Sequence, residues 1–321
     1  MTIAKELKEK ILDGYIINKE DALLLLNEDL DLLCQYADEL REHFCKDSFD
    51  MCTIINGKSG KCSENCKYCA QSSHFNTSVE EYPLLDLETI KEDAKYNDEK
   101  GVLRYSVVTS GKRLSDKEVD TLCEVYEKIK KETKLSLCAS HGLLSFENFQ
   151  KLKAAGVTRY HNNLEASRNF FPQICTTHTY DDKINTIKVA QMAGLEVCSG
   201  GIMGLGETME DRIDMVLDLR EIGIKSIPVN ILNPIKGTPM ENNRPISKEE
   251  AQRIVAIYRF IIPQGTIRLA GGRGLLDDKG RAIFNSGANA AITGDMLTTA
   301  GITIDDDMSM LKELGYKVNM I

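Results

Sequence analysis

The chain has 321 residues, 42% of them hydrophobic and 28% charged, with a formal net charge of −9 and no tryptophan. That length and balance suit one large α/β domain, and the acidity argues against a general role on nucleic acid or on an anionic membrane. The charged start MTIAKELKEKILDGY has no apolar segment of the secretory kind, runs such as Leu23–Leu26 are far too short to span a bilayer, and a cytoplasmic location is expected.

Residues 1–50 read as a helical extension. Asn18 precedes KEDALLLL as an N-cap, with Asp21 in the first turn, and a second amphipathic segment covers about 29–44. From residue 51 to 297 strands and helices alternate. Gly101, Gly156, Gly194 and Gly223 each end a helical stretch shortly before a strand, where a residue without a Cβ suits the left-handed position. Ser115-x-x-Glu118, Thr208-x-x-Asp211 and Ser247-x-x-Glu250 read as capping boxes at helix starts. Strands are expected near 51–56, 102–110, 134–140, 158–165, 196–203, 226–232, 266–272 and 290–294. Alternating βα units imply parallel strands, and eight of them imply a closed (β/α)8 TIM-type barrel. An open doubly wound sheet would want a phosphate fingerprint after the first strand, where this chain has cysteines. Residues 298–321 read as a C-terminal tail with one short helix. The runs Asp305–Asp307 and Lys128–Lys131 read as solvated helix ends.

Ten cysteines in such a chain point to metal binding or catalysis rather than disulfides. The first strand runs into GKSGKCSENCKYCAQSS, which is Cys62-x3-Cys66-x2-Cys69 with Tyr68 before the last cysteine. Three thiolates this close can wrap one face of a cubane iron–sulfur cluster and leave one iron without a protein ligand. A loop leaving the C-terminal end of a barrel strand is where active sites of this architecture lie. A structural zinc site would want four closed ligands, and His74 is the only nearby candidate for the fourth.

This spacing resembles the radical S-adenosylmethionine superfamily. There the open iron of a 4Fe–4S cluster binds S-adenosylmethionine, and an electron from the cluster cleaves the S–C5′ bond to give a 5′-deoxyadenosyl radical. From about residue 50 to 318 the chain resembles the biotin synthases more narrowly. The matching stretches are INGKSGKCSENCKYCAQSS, YHNNLE, TTHTYDDKINT, VCSGGIMGLGET, SIPVNILNPIKGTP, IRLAGGR and LTTAG. The resemblance implies that dethiobiotin is converted to biotin with sulfur from an auxiliary iron–sulfur cluster. It also implies an electron donor such as flavodoxin or ferredoxin, and a homodimer.

Leftover cysteines on strands are the candidates for the auxiliary cluster: Cys138 in KLSLCAS and Cys198 in EVCSGG, with Arg268 in TIRLAGG matching the family's arginine ligand. The family's remaining ligand, a cysteine on the second strand, is Ser106 here, in Arg104-Tyr105-Ser106. A serine hydroxyl is hard to deprotonate and is a poorer iron ligand. Cys52, on the neighbouring first strand, shares the barrel interior and is expected to take the vacant role, in a cluster of 2Fe–2S type or larger. The alternative for Cys52 is a small buried core residue. Cys34, Cys45 and Cys123 read as packed thiols, and Cys175, in QICTTHTY near the barrel mouth, receives no assignment.

Alternation on the fourth strand puts His161, Asn163 and Glu165 on one face, where amides and a carboxylate suit ribose hydroxyls. By resemblance Asn163 and Glu165 contact the cofactor, Glu165 being one methylene longer than the family's aspartate. The resemblance also implies that Asn230 contacts the substrate ring. Tyr68 and Arg104 are further expected cofactor contacts. The glycine-rich stretch from Cys198 to Gly206 is no dinucleotide fingerprint and is expected to let backbone approach the cofactor. His141 and His178 receive no role. Two other readings stay open: a related radical enzyme of this fold that rearranges an amino acid or matures a hydrogenase cofactor, and an iron–sulfur carrier.

Overall fold

The structure is a computed structural model and describes residues 2–321. Its strands are Ser48–Lys58 (β1), Arg104–Thr109 (β2), Ser136–Ser140 (β3), Val157–His161 (β4), Glu196–Cys198 (β5), Gly201–Met203 (β6), Ser226–Ile231 (β7), Thr266–Leu269 (β8), Ala290–Ile292 (β9) and Lys317–Val318 (β10). They pair in parallel in the order β1-β2-β3-β4-β5-β7-β8-β9, and β9 pairs back onto β1, which closes an eight-position barrel. β10 lies outside the ring, where Lys317 and Val318 pair with Ser48 and Phe49 at the start of β1.

β5 and β6 are two halves of one barrel position. β5 pairs with β4 and touches β7 at Cys198, whereas β6 pairs with β7 and meets the segment after β4 through a single bridge from Gly201 to Glu165. The single strand expected over 196–203 is therefore broken at Ser199-Gly200. Pro228 in β7 has no N–H to offer the ladder there. A Cβ on Gly200 would lie 1.9 Å from Pro228 O, and one on Gly201 2.6 Å from Glu165 O. These two glycines serve the close approach of neighbouring backbone, not the cofactor approach expected from the sequence. β4 also ends earlier than expected. It stops at His161, and Glu165 has a left-handed φ of 72°, so strand alternation does not carry through to residue 165.

Helix starts behave largely as their sequence dictates. Asn18, Ser115 and Thr208 form reciprocal capping boxes with Asp21, Glu118 and Asp211. Ser247 caps only one way, because the Glu250 carboxylate turns to Arg212 Nη1 at 2.6 Å. Gly101, Gly156, Gly194 and Gly223 all have positive φ. The N-terminal helices Ile3–Leu12, Lys19–Leu24 and Leu30–Cys45 pack against the barrel helix Lys248–Ile261. From that helix Arg259, fully buried, ties Gly265 O and Gly287 O at 2.8 Å each and Asn289 Oδ1 at 3.0 Å. This pins the segments that lead into β8 and β9, at the end of the barrel away from the cysteine loop. Among the described residues no helix is long and apolar enough to cross a membrane.

Candidate active site

The barrel encloses a cavity of about 420 Å³ whose wall is written by strand alternation. β1 contributes Cys52 and Ile54, β2 Arg104 and Ser106, β3 Cys138, β4 Arg159 and His161, β5 Cys198, β7 Asn230 and β8 Arg268. The mouth is bordered by Tyr68 and Cys69 from the loop after β1, and by Asn163 and Glu165 after β4.

The floor is organised by Asp50, which is fully buried and which sequence reasoning missed. Its two carboxylate oxygens accept from Arg104 Nε and from Arg268 Nη2, each at 2.7 Å. Arg268 Nη1 also donates to Asp50 O and Ala291 O at 2.9 and 3.0 Å, and Arg104 Nη1 to Ser136 Oγ at 3.1 Å. Burial would raise the Asp50 carboxyl, but Arg268 and Arg104 outweigh it and hold it below the usual range. Much of the Arg104 guanidinium is thereby committed to protein. The only sequence signal for Asp50 is an acid two residues before Cys52 on the first strand.

Three thiols sit above this floor. Cys52, Cys138 and Cys198 are 8%, 5% and 7% exposed and lie on separate strands of one cavity wall. Cys52 Sγ donates to Thr53 O at 3.5 Å. The neighbouring Cys52 thiol, with Arg159 and Arg104, lowers Cys138 against its burial, and Cys138 and burial together raise Cys52. Burial would push the Cys198 thiol up as well, but His161 and the charges of Arg268 and Arg159 bring it down to about 6. The cationic surroundings thus favour thiolates at Cys138 and Cys198, the form that binds iron. Ser106 pairs directly with Cys138 across the β2–β3 ladder, and its buried Oγ has no hydrogen-bond partner. A buried hydroxyl without a partner beside three thiols is an orphaned polar group that a bound group at this site would satisfy.

At the mouth the cysteine loop is shaped by backbone. Cys62 N donates to Gln71 O at 3.0 Å, Ser73 N to Cys62 O at 2.8 Å, and Cys69 N to Cys66 O at 3.0 Å. Burial, then Cys62 and Glu165, push the Cys69 thiol up to about 11 against two backbone N–H donors that lower it. His74 turns to Ser63 O at 3.0 Å and not to the thiols. The side chain that meets Cys66 comes from elsewhere: Cys175 Sγ is 3.7 Å away.

The amides expected to bind ligand are partly engaged by the wall. Asn163 Oδ1 accepts from Gly200 N at 3.0 Å, and its Nδ2 donates to Glu165 at 3.3 Å. Asn230 Oδ1 accepts from Gly271 N at 2.9 Å, and its Nδ2 donates to Gly201 O at 3.1 Å. Each amide nitrogen keeps one further hydrogen for a ligand. His141 is bonded on both ring nitrogens, to Thr109 and Tyr126 at 3.0 Å each, and burial lowers it to about 3. It is a neutral structural residue.

The donor set fits two iron–sulfur clusters. Three thiols stand together on one loop at the mouth, three more line the cavity below, and space for a small molecule lies between.

Two family models match the chain: the Radical SAM superfamily over residues 58–219 and the Biotin and Thiamin Synthesis associated domain over residues 228–317. A biotin synthase from Akkermansia muciniphila is 61% identical over 320 residues, 100% of this chain and 100% of that protein. A biotin synthase from Brachyspira hyodysenteriae is 62% identical over 315 residues, 98% of this chain and 95% of that one. Among solved structures, methylornithine synthase superposes with a TM-score of 0.85 at 20% identity, covering 98% of this chain and 97% of the other. The FeFe-hydrogenase maturase HydG from Carboxydothermus hydrogenoformans gives 0.82 at 17% identity, covering 98% and 78%. These two likenesses describe the barrel alone.

Proposed function

The chain belongs to the biotin synthase family of radical S-adenosylmethionine enzymes, and we propose that it converts dethiobiotin to biotin in the cavity between its two groups of thiols. When bound, the 4Fe–4S cluster with S-adenosylmethionine supplies a 5′-deoxyadenosyl radical that abstracts hydrogen, and the auxiliary cluster supplies sulfur. Cys62, Cys66 and Cys69 hold the first cluster. Cys52, Cys138 and Cys198 hold the auxiliary cluster, of 2Fe–2S type or larger, with Arg268 beside it. Ser106 stands where the family pattern has a cysteine, and its unpaired hydroxyl faces the same group.

The remaining roles are positional. Asn163 and Glu165 take the ribose hydroxyls, Tyr68 covers the adenosyl side of the mouth, and Asn230 offers its free N–H to the substrate ring. Arg104 acts through Asp50, which orients Arg268. The barrel wall surrounds the substrate, so that the radical meets its C–H bonds rather than other hydrogen donors. By analogy with the family, the reductant is a one-electron carrier of the flavodoxin or ferredoxin kind, and the enzyme works as a cytoplasmic homodimer.

One observation carries the reading: a single cavity is bordered by Cys69 at the mouth and by Cys52, Cys138 and Cys198 below. The test is an anaerobic turnover of protein reconstituted with iron and sulfide, with S-adenosylmethionine, dethiobiotin and a reductant, read by mass spectrometry. Biotin together with 5′-deoxyadenosine is expected. 5′-Deoxyadenosine without biotin, from protein carrying both clusters, would overturn the substrate and leave the radical chemistry standing.

A further inference from the structure

The cavity wall carries the cations Arg104, Arg159, Lys183 and Arg268 against a single acid, Glu165. The three arginines are committed to protein carboxylates. Arg104 and Arg268 share Asp50 at 2.7 Å each, and Arg159 Nη2 meets Glu196 Oε2 at 2.9 Å. Lys183 is the exception. It is half-buried, and among the described residues its ammonium has no ion-pair or hydrogen-bond partner. The function above gives it no role.

Nothing local stabilises this charge. Lys183 lies near the start of the helix Tyr180–Met192, which Thr179 caps. A cation there opposes the helix dipole, whose positive end is the N-terminus. The two acids beside it in sequence are turned elsewhere. Asp181 Oδ1 accepts from Arg168 Nη1 at 2.7 Å, and Asp182 Oδ2 accepts from Thr179 N at 2.8 Å and Thr179 Oγ1 at 2.9 Å. The charge of Lys183 instead reaches Cys66 on the cysteine loop and His161 on β4. That places it where a ligand enters the barrel. A half-buried ammonium without a counter-charge is unfavourable until a bound group brings one.

We propose that Lys183 pairs with the carboxylate of a small molecule held in the cavity. Both ligands of the function above carry such a group: S-adenosylmethionine at its methionine end, and dethiobiotin at the end of its side chain. Glu165, the acid of the wall, repels a carboxylate and accepts from hydroxyls, so Lys183 and Glu165 sort the acidic end of a ligand from its hydroxylated end. The proposal rests on the reading of the cavity as the site of those two ligands.

The test measures equilibrium binding to full-length, cluster-loaded protein under anaerobic conditions, by ultrafiltration. Lys183→Met removes the charge and keeps an unbranched side chain. It should weaken at least one of the two acids about 10–100-fold, as the loss of a hydrogen bond to a charged group does, with the visible spectrum of the cluster unchanged. If the cofactor's carboxylate is the partner, S-adenosylmethionine is weakened while its decarboxylated analogue binds the variant as it binds the native protein. If the substrate's carboxylate is the partner, dethiobiotin is weakened while its methyl ester is not. Lys183→Arg should recover most of the loss. Equal weakening of each acid and its neutral analogue would overturn the pairing, because shape and not charge would then be lost. Unchanged binding of both acids would overturn it too. Failure of the native protein to bind dethiobiotin would count against the proposed substrate, and the S-adenosylmethionine arm would still decide the role of Lys183.

Discussion

The two groups of thiols in this barrel are held by different means. At the mouth, Cys62, Cys66 and Cys69 ride on one loop whose shape comes from short-range backbone bonds, and all three are half-buried. At the floor, Cys52, Cys138 and Cys198 are buried on three strands and are placed by register above a fully buried Asp50–Arg104–Arg268 network. The mouth is a local device on a mobile kind of element, and the floor is a device of the whole barrel. Substitution should therefore cost function alone at the mouth, and both function and folding at the floor.

The largest contrast is in turnover. Cys69→Ala should abolish both 5′-deoxyadenosine and biotin in the reconstituted enzyme. Cys52→Ser should abolish biotin while 5′-deoxyadenosine continues, with auxiliary-cluster iron lost and the first cluster kept. Full iron content in Cys52→Ser, measured by colorimetric analysis and Mössbauer spectroscopy, would return Cys52 to the role of a packed core thiol.

Stability separates the regions next. Asp50→Asn leaves two buried arginines without their carboxylate and should cost about 3–5 kcal/mol, as breaking a buried pair usually does. A thermal melt followed by circular dichroism that showed no fall in Tm would sink the floor network as a structural element. Gly200→Ala tests the break between β5 and β6. Its Cβ would meet Pro228 O at 1.9 Å, so backbone must move, and a loss of at least about 1–3 kcal/mol is expected in a urea titration.

The smallest effect belongs to the tie behind the mouth. Lys58, at the end of β1, meets Glu118 at 2.6 Å, and both are partly exposed. Burial raises Glu118, but Lys58 and the Ser115 cap outweigh it and bring the carboxyl down to about 2. Because the folded value is depressed, the stability it contributes is fully present above the unfolded value of about 4.3. It is lost as pH falls through about 2. Glu118→Gln should flatten the acid limb of the stability curve in that window and cost under about 1 kcal/mol at neutral pH. An unchanged acid limb would show that the pair is not coupled to folding.

How far the sequence carried differs between the same two regions. The spacing Cys62-x3-Cys66-x2-Cys69 was legible because a loop of eight residues keeps its ligands close whatever the rest of the chain does. Eight βα units, their capping residues and their terminal glycines were legible because those signals act within a helix turn or two. Strand lengths were less so: β4 ends at His161, and the 196–203 segment breaks at Gly200, since Pro228 and Glu165 arrive there from remote positions.

By itself the sequence determined a parallel barrel, an iron–sulfur loop after its first strand, and the residue types on each strand's inner face, because periodicity and short spacing are properties of the chain alone. Tertiary structure decided the rest. It chose Asp50 as the partner of both Arg104 and Arg268, left the Ser106 hydroxyl unpaired beside Cys138, and brought Cys175 against Cys66 across 109 residues. None of these is written in local spacing, because each is a meeting of side chains that only the register of neighbouring strands and the packing of one loop on another can arrange.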